Sequence, residues 1–343
     1  MGQLLVRADA SAQIGAGHVM RCLALSKAWQ SSGGRVTFAS AEMIPSLSCR
    51  LKQDGIEVLK VEARPGSNDD IQSVLDLAER IETEWIVIDG YCFGPGYCGH
   101  LKERGLQVLS IDDDGRFEEY CADVVLNQNA SASEAMYSNR KPHTRLLLGS
   151  RFTLLRPEFA AARGERKHRS LGKQVLVTMG GSDPENVTLK VMEALAGIAV
   201  GLEIRVVVGS GNGRIAELRE AAKALDDELV VEENPPNMAP MMAWADLAVS
   251  AAGSTCWELA YIGVPAVVMA ISRDQMGIAQ AVAERGIGCN LGWHSDVSKD
   301  SIREAVFALL SDRARRKAMS EAGEELVDGQ GAKRVVEFMR SVA

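Results

Sequence analysis

The sequence predicts an α/β protein of two doubly wound, Rossmann-like domains facing one another across a cleft, as in the GT-B fold. Three observations predict it. The chain has 343 residues, more than one core ordinarily uses. Short, continuously apolar, β-branched runs alternate with longer amphipathic ones, the pattern of parallel strands covered by helices on both faces. The alternation also begins twice, each time as strand, glycine loop, helix.

In the first half the apolar runs QLLVRAD (3–9), GRVTFAS (34–40), IEVLKV (56–61), WIVIDG (85–90), LQVLSIDD (106–113) and ADVVLNQN (122–129) read as strands. The amphipathic stretches 18–33 (closed by Gly33), 44–55, 69–82 and 96–104 read as helices between them. Residues 149–172, GSRFTLLRPEFAAARGERKHRSLG, break the pattern: they are basic, carry a proline and have weak periodicity. They read as a linker. Strands then recur at 173–181, 203–211, 228–234, 245–253 and 265–272, with helices at 184–197, 214–225, 238–244 and 254–262. Four helical segments follow, near 275–285, 300–310, 313–327 and 332–342. The expected division is a domain over 1–150, a linker over 151–172 and a second domain over 173–343, with the last helix placed to pack back on the first domain.

A formal net charge of −8 disfavours general nucleic-acid binding, which needs a basic face; a local basic pocket for an anion remains compatible with it. The seven cysteines form no C-x-x-C pair and mostly sit in apolar runs. Reduced, buried thiols in a cytoplasmic protein are expected, ahead of disulfides or zinc. No stretch approaches the roughly 20 apolar residues of a membrane span.

Ligands in doubly wound sheets bind at the carboxyl ends of the strands, and four loops there carry candidate chemistry. In the first, Gly15 and Gly17 precede His18. A third glycine of a dinucleotide fingerprint is replaced by Met20, yet the loop lets a ligand approach closely, and the helix start supplies unpaired N–H groups. The positive helix end disfavours a further positive charge on the imidazole, so His18 is either a proton acceptor or a packed or capping side chain. In the second, Gly180 and Gly181 precede Ser182, Asp183 and Pro184; the last three suit a plain capped helix start, which does not require the glycine pair. In the third, Gly253, Ser254 and Thr255 open a helix with Glu258 about one turn in. That arrangement suits phosphates at the N-terminus with ribose hydroxyls on the carboxylate, or a capping box. In the fourth, Asp274 and Gln275 suit sugar hydroxyls or an N-cap. Asp89, Tyr91, Asp112 and Asp113 also fall at strand ends; aspartates there bind a metal or, more often, cap turns.

Taken together, RADASAQIGAGHVMRCLALS, LLGSRFTLLRPEF, VLVTMGGSDPENVTLKVMEAL and SAAGSTCWELAYIGVPAVV resemble the UDP-2,4-diacetamido-2,4,6-trideoxy-β-L-altropyranose hydrolases of pseudaminic acid biosynthesis. The resemblance runs from about Arg7 to Gln275. It implies a GT-B-like fold, UDP bound mainly by the C-terminal half and a sugar reaching into the cleft. The family's catalytic base falls on His18 and its tyrosine on Tyr91. The implied substrate-binding set is Gly15, Gly17, Arg21, Tyr91, Gly180, Gly181, Ser182, Gly253, Ser254, Thr255, Glu258, Asp274 and Gln275. Asp274 stands where the family carries an amide, and DGYCFGPGY departs from the family's stretch; both lie where the sugar would be read. The implied reaction is hydrolysis of a UDP-sugar with inversion, releasing UDP, with no cofactor and no metal. A GT-B glycosyltransferase and a non-catalytic nucleotide-sugar binding protein are the alternatives.

Overall fold

A computed structural model describes every residue except Met1, Ala12, Ala199, Val200, Ser210, Asp226, Asp227, Glu228 and Ala343. The expected first residue of the 228–234 strand and Ser210 of the 203–211 run therefore lie outside the described residues. The chain divides into two compact units, one of residues 1–157 with 329–343 and one of residues 158–328.

Unit 1 is a seven-stranded sheet of β1 (Gln3–Ala8), β2 (Arg35–Ser40), β3 (Glu57–Lys60), β4 (Thr83–Asp89), β5 (Gln107–Ile111), β6 (Val124–Asn127) and β7 (Arg145–Leu148). Its order is β3-β2-β1-β4-β5-β6-β7, and every pairing is parallel. Helices α1 (Gly17–Ser31), α2 (Pro45–Gln53), α3 (Asn68–Arg80) and α4 (Pro95–Glu103) connect the strands. Successive residues of a strand point to opposite faces, so Leu4, Val6 and Ala8 join the core under α1, whereas Leu5 joins the core under α3 and α4. A short helix α5 (Pro157–Ala162) falls within the stretch read as a linker.

Unit 2 is a six-stranded sheet of β8 (Gln174–Thr178), β9 (Glu203–Val208), β10 (Leu229–Glu233), β11 (Leu247–Ala251), β12 (Ala266–Ala270) and β13 (Gly288–Trp293). The order is β10-β9-β8-β11-β12-β13, again all parallel. Its helices are α6 (Val187–Ala196), α7 (Ile215–Leu225), α8 (Ala239–Trp244), α9 (Thr255–Ile262), α10 (Gln275–Glu284), α11 (Lys299–Ser311) and α12 (Arg313–Leu326). The last helix, α13 (Gly331–Ser341), belongs to unit 1, where Ala332, Val335, Val336 and Met339 enter the core with Leu23 and Trp29 of α1.

Both sheets reverse strand order at their middle, at β1/β4 and at β8/β11. Such a switch point leaves a crevice outside the strands' carboxyl ends, because the two neighbouring connections depart to opposite sides. No described helix is long and apolar enough to cross a membrane, and all seven cysteines are free thiols.

Candidate active site

In unit 1 the switch point brings together the loop after β1 and the loop after β4. Asp9, directly after β1, accepts hydrogen bonds from Ala41 N at 2.8 Å, Glu42 N at 3.1 Å and Arg7 Nη1 at 2.7 Å. These tie the end of β1 to the end of β2 and steer the chain into the glycine loop. Gly15 N closes that loop on Ser11 O at 2.8 Å, with Gly15 at φ +80°, a conformation that favours glycine. At Gly17 a Cβ would meet no protein atom within 4 Å, so the space beside it stays open. Ala16 at the N-cap makes no side-chain capping bond, and α1 starts with Gly17 and His18.

His18 is only 7% exposed. Its Nε2 lies 4.0 Å from Asp89 Oδ1, and its ring meets the Tyr91 ring edge-on, with centroids 4.9 Å apart. Arg21, one turn further along α1, forks onto Asp89 through Nε and Nη2, both at 2.7 Å, and onto Asp113 through Nη1 at 2.7 and 2.8 Å. Asn129 Nδ2 completes the chain by donating to Asp113 at 2.9 Å. Burial opposes the charge on Asp89, but Arg21, followed by His18, outweighs it and holds the carboxyl below its usual range. Burial, then the Asp89 charge, pushes the Cys22 thiol up, so Cys22 stays protonated and donates to Asp89 at 3.4 Å. Tyr91 is 46% exposed, and the Arg116 guanidinium stacks on its ring at 3.9 Å. His18, Arg21, Asp89, Tyr91, Asp113 and Arg116 line one small pocket.

Arg21 lines the pocket and is also engaged within the protein. All three of its side-chain nitrogens donate to protein carboxylates, which fixes Asp89 and Asp113. The aspartates are likewise engaged within the protein: Asp112 accepts from Gly115 N at 2.6 Å, Tyr137 Oη at 2.9 Å and Tyr120 Oη at 3.1 Å. Burial, acting against those bonds, raises the Asp112 carboxyl above its usual value. Among the described residues, no three His, Cys, Asp or Glu side chains are grouped so as to hold a metal. Asp113, Arg116 and Asn129 entered no functional reading of the sequence as an Arg21 or Tyr91 partner. Their only signal is the DDDGR and NQN pair of strand ends, far from Arg21 along the chain.

In unit 2 the loops after β8 and β11 flank the switch point, and the β12 loop adjoins them. Helix α6 begins at Val187, three residues later than the expected Pro184. The reason is Asp183: at φ +44° it turns back and caps from outside, accepting from Val187 N and Thr188 N at 2.9 Å each. That leaves Gly180, Gly181 and Ser182 as a separate loop rather than part of the helix start. Gly180 needs its φ of +83°. Gly181 O accepts from Gly211 N at 3.0 Å, and a Cβ on Gly209 would come within 2.6 Å of Gly181 Cα. Gly209→Ala is therefore expected to displace the 180–182 loop and to cost about 1–3 kcal/mol, as overpacking against backbone does. Urea denaturation checks this, and an unchanged midpoint would remove the close approach as a constraint.

Ser254 sits at the N-cap of α9 and Asp274 at the N-cap of α10, but neither side chain makes a capping hydrogen bond. The Ser254 side chain therefore takes no part in a capping box, and the plain N-cap at Asp274 is not formed. Gln275 accepts from Ile271 N at 3.0 Å, and its Nε2 lies 3.8 Å from where a Gly253 Cβ would stand. The β11 and β12 loops therefore adjoin, as the pairing of their strands requires. Ser254, Thr255, Glu258, Asp274 and Gln275 are all half-buried.

Fold and match together define the class: a GT-B-fold protein in which residues 174–335 match the glycosyltransferase family 28 C-terminal domain. The chain is similar to the crystal structure of MurG from Acinetobacter baumannii (17% identity, TM-score 0.68, covering 99% of this chain and 100% of that one). It is also similar to the spinosyn rhamnosyltransferase SpnG complexed with thymidine diphosphate (16% identity, TM-score 0.67, 99% and 100%). Among curated relatives, the UDP-2,4-diacetamido-2,4,6-trideoxy-β-L-altropyranose hydrolase of Campylobacter jejuni is 25% identical over 83% of this chain and 97% of its own length. The resemblance carried by the motifs is borne out along most of the chain. The spore coat polysaccharide biosynthesis protein SpsG of Bacillus subtilis is 27% identical over 68% of this chain and 69% of its own length. An uncharacterized protein of Methanocaldococcus jannaschii is 26% identical over 78% of this chain; the match spans only 55% of that relative.

Proposed function

We propose that the protein hydrolyses a UDP-linked amino or deoxy sugar at its anomeric C–O bond, releasing UDP and the free sugar with inverted configuration. The observation that carries this reading is His18: an imidazole at the wall of the unit 1 switch-point pocket, with a carboxylate 4.0 Å from Nε2 and open space at Gly17 beside it. In the reaction a water oxygen attacks the anomeric carbon. The bond from that carbon to the diphosphate oxygen breaks, and its electron pair leaves with UDP. His18 takes the water proton, and the Asp89 carboxylate balances the charge the ring gains. A base so positioned contributes on the order of 10²–10⁴ in rate, and the transition state is oxocarbenium-like. The diphosphate is held by backbone N–H groups at Gly253, Ser254 and Thr255 and by the Gly180–Ser182 loop, with the ribose on Glu258 and sugar hydroxyls on Asp274 and Gln275. The Campylobacter hydrolase, similar over most of the chain, supports the reading. The family 28 match favours a second one, a transferase in which the same base deprotonates an acceptor hydroxyl.

Incubation with a panel of UDP-sugars and no acceptor tests the choice. Equal amounts of UDP and free sugar are expected; UDP release that requires an added acceptor overturns hydrolysis in favour of transfer. Glu258→Ala is expected to weaken UDP binding by roughly 1.5–3 kcal/mol, the value of hydrogen bonds to a charged group. Calorimetric titration with UDP measures it, and unchanged affinity in a folded variant takes Glu258 out of the site.

A further inference from the structure

The basic stretch that broke the strand–helix alternation has no part in the proposed reaction. In the fold it lies against the start of α12. Residues 163–173 and 312–317 together hold nine lysines and arginines and two acidic residues, in a chain of net charge −8. Two arginines lock the segments into one face of unit 2. Arg316, 1% exposed, donates to Leu309 O and Arg169 O, both at 2.6 Å, and Arg166 donates to Ala245 O. Gly172 N adds a bond to Leu310 O at 2.9 Å. Around this lock Lys167, Lys173, Arg313 and Arg315 are exposed, and none has a carboxylate partner at ion-pair distance among the described residues. Two nearby acidic groups are otherwise engaged, and the exposed Glu165 within the stretch offsets one of the nine positive charges. Asp246 accepts from Lys173 N and Gln174 N and pairs with Arg169 at 3.5 Å, and Asp312 caps α12. Burial, and next the charges of Arg166, Arg316 and Arg313, hold the His168 imidazole below its usual value, as a local positive potential requires.

We infer that this face docks unit 2 onto an anionic lipid bilayer. Three features select that partner. The buried guanidiniums are spent on backbone carbonyls, so no donors converge on one small anion. Neither segment contains a phenylalanine, tyrosine or tryptophan, so the large rings on which single-stranded bases mostly stack are missing. Long, separately anchored cations suit a plane of headgroups, where clusters of four to eight lysines and arginines act additively. The acidic remainder of the chain does not cancel this field at contact, because charges are screened beyond about 8 Å at physiological salt. The face lies at the edge where β8 and β11 begin, since Lys173 precedes β8 and Asp246 precedes β11. The candidate ligand loops, at the other ends of those strands, stay clear of it. The docking is peripheral and does not depend on the reaction proposed above.

Flotation of the full chain with phosphatidylcholine vesicles, and with vesicles carrying about a third phosphatidylglycerol, tests the inference. Binding only to the anionic vesicles is expected, weakening as salt is raised. The triple variant Lys167→Glu, Arg313→Glu, Arg315→Glu should lose at least about 100-fold in vesicle affinity while its turnover in solution is unchanged. Should the triple variant fail to fold, Lys167→Gln and Arg313→Gln singly should each lose about fivefold. Equal binding to neutral and anionic vesicles, binding that survives the charge reversals, or tighter binding to polyglutamate or to single-stranded RNA than to the anionic vesicles overturns it.

Discussion

Replacing His18 by asparagine is expected to lower kcat by about 10²-fold or more while leaving UDP affinity nearly unchanged. Asparagine keeps a polar side chain of related size but no group that accepts a proton at neutral pH. The split between kcat and affinity follows from the division of labour proposed for the two units: His18 belongs to unit 1, and the loops assigned to the nucleotide belong to unit 2. The edge contact with Tyr91 at 4.9 Å also leaves with the ring, so a small loss of stability accompanies the variant without explaining a hundredfold rate loss. Steady-state kinetics and calorimetry with UDP measure the two quantities separately. A variant that keeps its turnover, or that loses UDP affinity in proportion to rate, makes His18 a packing or binding residue and removes the base from the mechanism.

Central elements were legible in the sequence because burial writes them plainly. β11, LAVSA, is buried at all five positions, and its apolar run states both its type and its place in a parallel sheet. The two strands that went unread, β7 and β13, are sheet edges. β7 is four residues with one fully buried, and β13, GCNLGW, carries glycines and is half-buried after its first residue. Half-covered, short and glycine-interrupted segments lose both the continuous apolar run and the period of two that mark a strand.

The site divides the same way. Glycine loops at strand ends announce themselves, because conformations such as Gly15 at φ +80° and Gly180 at φ +83° admit few other residues. Caps are harder to read. Ser254 and Asp274 have the right residue type at the right place and make no capping bond, whereas Asp183 caps α6 from four residues ahead of Val187. Residue type states what a side chain can do, and the backbone conformation of its neighbours decides whether it does it. Least legible was the Asp89–Arg21–Asp113 chain, whose members are 68 and 92 residues from Arg21. No local period connects them; only the β1/β4 switch point does.

That chain carries the second large effect. Arg21→Met is expected to destabilise unit 1 by about 3–5 kcal/mol, the cost of removing one partner from a buried ion pair. Asp89 is fully buried and, among the described residues, would keep only the Cys22 thiol as a hydrogen-bonding side-chain donor. The double variant Arg21→Met, Asp89→Asn should lose less, because the fully buried carboxylate is then neutral and the charge left without its arginine is that of Asp113, whose side chain is 13% exposed and still accepts from Asn129. In the wild type, Arg21 holds the folded Asp89 carboxyl below its unfolded value of about 3.9. Its stabilisation is therefore fully present above about pH 5 and is lost progressively as pH falls through the unfolded value and on through the lower folded one. In Arg21→Met the sign reverses. Burial is then opposed by His18 without the arginine, so the folded carboxyl is expected to titrate above the unfolded one, and protonating it relieves the strain. The stability gap between this variant and the wild type should narrow as pH is lowered from about 7 to about 5. Hydrogen exchange of the α1 amides under increasing urea follows unit 1 separately from unit 2. A gap that is independent of pH, or a double variant no more stable than Arg21→Met, would show that the lost stability is packing around the arginine stem and that Asp89 does not depend on Arg21 for its charge.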